Sequence, residues 1–186
     1  MATLLLDRGS PAFVGGVFLV TEAEEMFTRF ETNLPTGARM WWADTSHEWI
    51  TQVSGTGTPF YTRLVPAGLS RVPGLAAELE AGYRLVDTAC GAAVGVVKLA
   101  RSYQQCTVVG VDGDPHSIEL ARTRVAEAGL ADRVELLCSP LEDMSLIPPA
   151  RVVINNISMH ECRDIDRVTE NVRHALEPGG SASTGG

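Results

Sequence analysis

From residue 84 onward, short apolar runs alternate with longer stretches in which apolar residues recur every three or four positions. Continuous apolar runs are typical of strands buried on both faces, and the longer period is typical of amphipathic helices. This alternation predicts an α/β domain with a Rossmann-like parallel sheet of about four strands, right-handed crossovers and helices on both faces. The predicted elements are strand 84–88, helix 93–102, strand 107–112, helix 115–128, strand 133–138, strand 151–156 and helix 163–176.

Residues 1–80 lack this alternation. The pattern predicts an amphipathic helix over 21–30, with Thr21 as its N-cap, and a helix over 75–82 that glycine ends. We therefore expect a mainly helical N-terminal segment, 1–80, that forms a substrate-pocket or interaction region, followed by a catalytic-type domain, 81–186. Four aromatic residues of the first segment either line an aromatic substrate pocket or form a hydrophobic cluster that covers the sheet: Trp41, Trp42, Phe60 and Tyr61.

Composition narrows the function. The chain has 186 residues, 45% of them hydrophobic, which suits one compact domain with extra segments. A net charge of −8 argues against a nucleic-acid partner, because such proteins concentrate Lys and Arg on one face. No apolar run approaches the ~20 residues of a membrane span, so no membrane partner is expected. The four separated cysteines favour reduced thiols in a cytoplasmic protein.

The most informative stretch is Leu85–Gly95, followed by Thr107–Asp112. A buried strand runs into a turn of small residues that opens a helix, so backbone N–H groups there can approach a ligand closely. Asp112 stands 21 positions after Gly91 at the end of the next strand, close to the roughly 20 expected of an acid that binds the ribose hydroxyls of a nucleotide. Together these features predict an adenosine cofactor.

Asp87 indicates which adenosine cofactor. A carboxylate at the end of the first strand would repel an anionic pyrophosphate, whereas it would attract the ammonium group of a sulfonium amino acid. A dinucleotide-dependent oxidoreductase is therefore disfavoured, and the chain also lacks a G-x-G-x-x-G pattern.

On these residues the chain resembles the class I S-adenosyl-L-methionine (SAM)-dependent methyltransferases. The resemblance is carried by the glycine-loop motif Asp87–Gly95 and the acidic motif Val111–Asp112. It continues through 114–122, 129–134, 152–156 with His160 beyond, and 176–180. Four upstream pieces, 10–16, 35–37, 60–64 and 72–75, are similar to the region that follows a winged-helix N-terminal domain in a bacterial branch of small-molecule methyltransferases.

The resemblance implies SAM as cofactor, a small-molecule methyl acceptor and no metal. Residues near the methyl group would include a general base, for which His160 and Glu161 are the candidates; His160 alternatively packs or caps at the start of the last helix. The implied cofactor-binding set is Asp87, Ala89, Cys90 and Gly91 for the methionine portion, Asp112 and Gly113 for the ribose side, Leu141 for the adenine edge, and Asn156.

Several positions depart from the family pattern. Ala89 and Ala93 stand where the family has loop glycines, and a methyl group at a position that needs positive φ costs on the order of 1 kcal/mol. Ser139–Pro140 replaces an acidic residue, and Arg151 replaces an aspartate. Activity is therefore in question, and the alternative is a non-catalytic methyltransferase remnant that acts in self-association or interaction.

The end of the chain adds a further expectation. Only six residues follow Gly180, where the family's fifth strand normally begins. We therefore expect a domain that lacks strands five to seven, with strand order 3-2-1-4. The fourth strand, 152–156, would then be an exposed apolar edge that pairs with a second copy of the chain.

Overall fold

The computed structural model describes residues 2–7, 10, 13, 15, 24–54, 56–57 and 60–185. Its helices are α1 (Ala2–Leu5), α2 (Glu24–Asn33), α3 (His47–Val53), α4 (Val65–Leu69), α5 (Leu75–Ala81), α6 (Val94–Ser102), α7 (Pro115–Glu127) and α8 (Ile165–Ala175). Its strands are β1 (Arg84–Thr88), β2 (Thr107–Asp112), β3 (Val134–Cys138), β4 (Ala150–Asn156) and β5 (Leu176–Gly185). Short helical turns cover Trp42–Asp44, Phe60–Leu64, Leu141–Asp143 and Met159–Glu161.

The five strands form one parallel sheet in the order β3-β2-β1-β4-β5. β1 lies at its centre, with Val86 opposite Val109 of β2 and Val153 of β4. The α/β class and the order of the first four strands are confirmed. The order reverses at β1, so the carboxyl ends of β1 and β4 flank the crevice where ligands of such sheets bind.

The expectation of a four-stranded sheet with β4 at its edge is wrong. β5 pairs in parallel with β4, placing Ala182 beside Val153. The strand starts at Leu176, directly after α8, and not at Gly180, so the residues counted as too few are only its second half. Pairing removes both the basis for self-association through β4 and one of the two reasons for regarding the chain as a remnant.

Apolar side chains fill both faces of the sheet. Leu85, Val108 and Ile154 pack on one face with helices α5, α6 and α7, while Val86 and Val153 pack on the other with α8. Successive strand residues point to opposite faces, which explains why the strands read as continuous apolar runs. Among the four cysteines, all of them free thiols, only Cys138 is exposed.

The upstream segment joins the same core. Val65, Leu69 and Leu79 are buried in the cluster that covers the first face of the sheet. The helix expected over 21–30 is observed as Glu24–Asn33, and its predicted cap Thr21 lies outside the described residues. No described helix combines the length and apolar character needed to cross a membrane.

Val153→Lys tests the position of β4. Val153 is 1% exposed and packs on the face that α8 covers, so a lysine there would bury a charge beneath that helix. We expect the free energy of unfolding to fall by about 3 kcal/mol or more, measured by urea denaturation. The matched control is Leu34→Lys, because Leu34 is 64% exposed, and it should leave the stability unchanged. A Val153→Lys protein as stable as the parent would show that this face of β4 is open to solvent.

Candidate functional site

The β1–α6 loop has an unusual backbone. Ala89, Gly91 and Ala93 have φ angles of 55°, 53° and 60°, all in the left-handed region. The loop is fixed by hydrogen bonds from Cys90 N to Val111 O and from Ala93 N to Cys90 O, both 3.0 Å. The alanines therefore occupy positions that favour glycine, and each holds its conformation against a steric cost.

Small residues around the loop allow close packing. A Cβ at Gly110 of β2 would lie 2.9 Å from Cys90 Sγ, so this glycine makes room for the buried thiol. Burial raises the pKa of Cys90 well above its usual value, and the neighbouring Asp112 and Asp87 raise it further. Cys90 is thus a neutral packing group, and its backbone N–H is engaged by Val111 O.

Asp112 and Gly91, which sequence spacing relates, are in direct contact. Asp112 Oδ2 accepts a hydrogen bond from Gly91 N at 2.8 Å, and Oδ1 accepts one from Asp114 N at 2.9 Å. Burial raises the pKa of Asp112, while these two N–H donors lower it. Since a carboxylate has about four acceptor sites, two remain for the hydroxyl groups of a ligand.

Asp87 lies at the centre of the site and is 0% exposed. Its Oδ1 accepts a hydrogen bond of 2.7 Å from the hydroxyl of Tyr61, while its Oδ2 has no partner in the described part of the chain. Burial, opposed by the Tyr61 hydrogen bond and reinforced by the charge of Asp112, raises the pKa of Asp87 to about 7. A buried acceptor without a donor fits a cationic ligand group such as an ammonium.

Tyr61 is a site residue that sequence reasoning did not assign to the cofactor. Its ring covers Gly95 so closely that a Cβ there would lie 2.3 Å from Tyr61 Cζ. Burial and the charge of Asp87 raise the Tyr61 pKa well above its usual value. Tyr61 therefore keeps its proton, donates a hydrogen bond to Asp87 and does not line an open aromatic pocket. The sequence signal was slight: Phe60–Leu64 is one of the upstream pieces of the resemblance.

The carboxyl end of β4 completes this side of the crevice. The side chain of Asn156 hydrogen-bonds to Tyr61, and its Oδ1 is buried with no partner among the described residues. The next residue, Ile157, has a φ of 53° and is 54% exposed. A β-branched residue in the left-handed region is strained, and such strain clusters at ligand-binding sites.

His160 and Glu161 follow in the turn Met159–Glu161. The His160 side chain is 63% exposed, and its Nε2 lies 3.5 Å from Glu161 Oε1. Glu161 Oε2 accepts a hydrogen bond of 2.9 Å from Trp42 N. Glu161 thus ties the upstream segment to the end of β4, and His160 projects from the same turn into solvent.

The remaining predicted residues lie where β2 and β3 end. A Cβ at Gly113 would lie 3.3 Å from Pro140 Cα, so the two loops are in close contact beside Asp112. Leu141 is buried in the apolar cluster on the face of the sheet that α8 covers. The structure therefore places Asp87, the β1–α6 loop, Asp112 and Asn156 together at the carboxyl ends of β1, β2 and β4, with Gly113 and Leu141 after the ends of β2 and β3. The described residues hold no group of three or more potential metal ligands.

Comparison with known proteins shows the family of this chain. The family described as "Methyltransferase domain" matches residues 85–180. Methyltransferase GfsG of Streptomyces halstedii is 33% identical over 55% of the chain and 37% of its own length. The malonyl-[acyl-carrier protein] O-methyltransferase of Priestia megaterium is 25% identical over 52% of the chain and 34% of its own length. The chain thus spans about a third of the length of these relatives.

Solved structures share the fold. A SAM-dependent methyltransferase from Geobacter sulfurreducens, solved in complex with S-adenosyl-L-homocysteine, superposes with a TM-score of 0.52. It is 24% identical, and the match covers 64% of this chain and 47% of that one.

Ala89→Gly tests the strain in the loop. Glycine adopts positive φ without cost, so the variant should gain roughly 0.5–1 kcal/mol in the free energy of unfolding despite its more flexible unfolded chain. Ala92 is 3% exposed and is not among the positive-φ residues, so Ala92→Gly should lose about 1 kcal/mol. Urea denaturation compares them, and equal losses for both would show that Ala89 is unstrained.

Proposed function

The chain belongs to the methyltransferase domain family, and we propose that it binds SAM at the β1–α6 loop and transfers the methyl group to a small-molecule acceptor. The observation that carries the proposal is the buried Asp87, one of whose carboxylate oxygens has no partner among the residues that the structure describes. Such an oxygen is costly in the free protein and favourable once a cation pairs with it. The ammonium group of SAM is a cation of the right kind.

Three regions would share the cofactor. Asp87 and the backbone of Ala89, Cys90 and Gly91 would hold the methionine portion. Asp112, with two acceptor sites left, would bind the ribose hydroxyls, with Gly113 beside it. Leu141 would pack against the adenine edge, and Asn156 would lie near the methionine portion because it borders Tyr61.

Methyl transfer from SAM requires the protein mainly to position the donor and the acceptor. Bound SAM supplies an electrophilic methyl group for an in-line displacement. The residues of this chain would align the acceptor, exclude water and accept a proton where the acceptor loses one. His160 is the candidate base, since it projects from the turn after β4, with its Nε2 3.5 Å from Glu161 Oε1.

A small-molecule acceptor is supported by charge and by relatives. The net charge of −8 disfavours a surface that tracks phosphate backbones. One relative is named for methyl transfer to a malonyl group on an acyl carrier protein. That name concerns the relative, and here it supports only the general class of acceptor.

The pKa of Asp87 predicts how ligand binding depends on pH. With a pKa of about 7, Asp87 is mostly protonated below pH 7 and becomes free to pair with a cation as the pH rises. The affinity for S-adenosyl-L-homocysteine, which carries the ammonium group, should therefore increase about tenfold from pH 6 to pH 8. Isothermal titration calorimetry measures this. The control ligand 5′-methylthioadenosine has no ammonium group, and its affinity should not change with pH.

Asp87→Asn supplies the matched protein control, because it keeps an oxygen for Tyr61 and loses the charge. Its affinity for S-adenosyl-L-homocysteine should be low at both pH values. If the parent protein bound this ligand equally at pH 6 and pH 8, Asp87 would not be the ammonium partner. No binding at any pH would overturn the proposed function.

A second prediction concerns the ribose. Asp112→Ala should weaken S-adenosyl-L-homocysteine binding at least tenfold, about 1.4 kcal/mol, because the hydroxyl groups lose a charged acceptor. Since Asp112 also holds the Gly91 and Asp114 N–H groups, Asp112→Asn is measured beside it. Asparagine keeps one acceptor and should give an intermediate affinity by calorimetry. Unchanged affinity in both variants would remove Asp112 from the site.

A further inference from the structure

Two arginines flank one tryptophan beside the turn that carries His160. Arg39 Cζ lies 4.3 Å from the centre of the Trp41 ring, and Arg163 Cζ lies 4.5 Å from it. Both arginines are exposed, and within the described part of the chain neither guanidinium group makes an ion pair. Stacking on an aromatic face holds a guanidinium group in place while its N–H donors stay free.

The carboxylates near this pair are engaged elsewhere. Acidic residues outnumber Lys and Arg by 23 to 15 in the chain. Glu161 nevertheless binds Trp42 N, and Glu142 Oε1 accepts from the backbone N–H of Arg163. Two like charges beside one ring repel each other, and an anion that contacts both would relieve the repulsion.

The pair lies beyond the carboxyl end of β4, close to the proposed acceptor site. Arg163 lies two residues after the turn Met159–Glu161, beyond the carboxyl end of β4. Arg39 comes from the upstream segment, which Glu161 ties to the same turn through Trp42. Two segments far apart in sequence thus deliver one arginine each to the edge of the sheet where substrates of parallel α/β folds bind.

We propose that Arg39 and Arg163, positioned by Trp41, bind an oxyanion, carboxylate or phosphate, that is part of the methyl acceptor. Guanidinium groups present paired N–H donors that match the oxygens of both anions. The link to an acceptor rests on the proposed function, whereas anion binding at this site does not.

The test is a titration followed by nuclear magnetic resonance. The chain has three tryptophans, so three indole N–H signals are expected, and Trp41→Phe identifies the signal of Trp41. Inorganic phosphate and malonate are titrated separately at constant ionic strength, with sodium chloride as the balancing salt. We expect the Trp41 signal to shift and saturate with at least one of them. Stronger binding of phosphate would indicate a phosphorylated acceptor, and stronger binding of malonate a carboxylated one.

Variants then locate the binding. Arg39→Gln and Arg163→Gln should each weaken anion binding at least fivefold, because each variant leaves a single guanidinium group at the site. The control Arg122→Gln removes an exposed arginine of α7 and should leave the anion affinity unchanged. A Trp41 signal that responds only to ionic strength, or equal weakening by all three variants, would overturn the proposal.

S-adenosyl-L-homocysteine binding by the same variants separates the two proposals. Arg39→Gln and Arg163→Gln should bind it as the parent does, since neither residue lies in the cofactor set. A parent protein that binds phosphate or malonate at Trp41 but never binds S-adenosyl-L-homocysteine would support the anion site and overturn the proposed function.

Discussion

The buried carboxylate of Asp87 is the constraint around which the rest of the site is arranged. It stands in the central strand, 0% exposed, and the described residues supply a donor for only one of its oxygens. An ionised group in such surroundings is unfavourable, and the rise of its pKa to about 7 reflects that cost. A fold that retains an unsatisfied carboxylate at its centre is less stable than it would be with an apolar residue there. In the proposed function the compensation would come when a cation binds, so the same residue that destabilises the free protein would give the site its selectivity.

The sheet was largely predictable because its signals are local. Continuous apolar runs such as Val108–Val111 mark a buried strand, and Asp114 followed by Pro115 marks the start of a helix. The fifth strand was not predictable in this way, because Leu176 follows helix α8 without a break and Pro178 suggests a turn. Its strand conformation depends on pairing with β4, a contact that no local pattern encodes.

The residues of the site were likewise predictable where the signal is local and not where it depends on tertiary contacts. The spacing from Gly91 to Asp112 predicted a shared ligand, and the structure adds a direct hydrogen bond between them. The alanines of the loop were recognised as departures, and their positive φ angles show that the backbone keeps the shape that glycines would adopt freely. Tyr61 was not predicted as a site residue. It lies 26 positions before Asp87, in the short turn Phe60–Leu64, whose sequence has no periodic pattern. Long-range polar contacts of this kind depend on tertiary packing, which periodicity does not report.

These contacts also change how residues 1–80 are understood. Division at residue 80 follows the change in sequence pattern, yet two hydrogen bonds cross it at the crevice: Tyr61 to Asp87 and Trp42 to Glu161. The first bond reaches β1 just before the β1–α6 loop. The second reaches the turn Met159–Glu161, beside the proposed acceptor site. Because each bond pairs an upstream donor with a carboxylate of the sheet domain, the upstream segment helps to fix the positions of Asp87 and Glu161. The described part of residues 1–80 is therefore joined to the carboxyl ends of the strands by polar contacts as well as by apolar packing, and it contributes to the geometry on both sides of the proposed site.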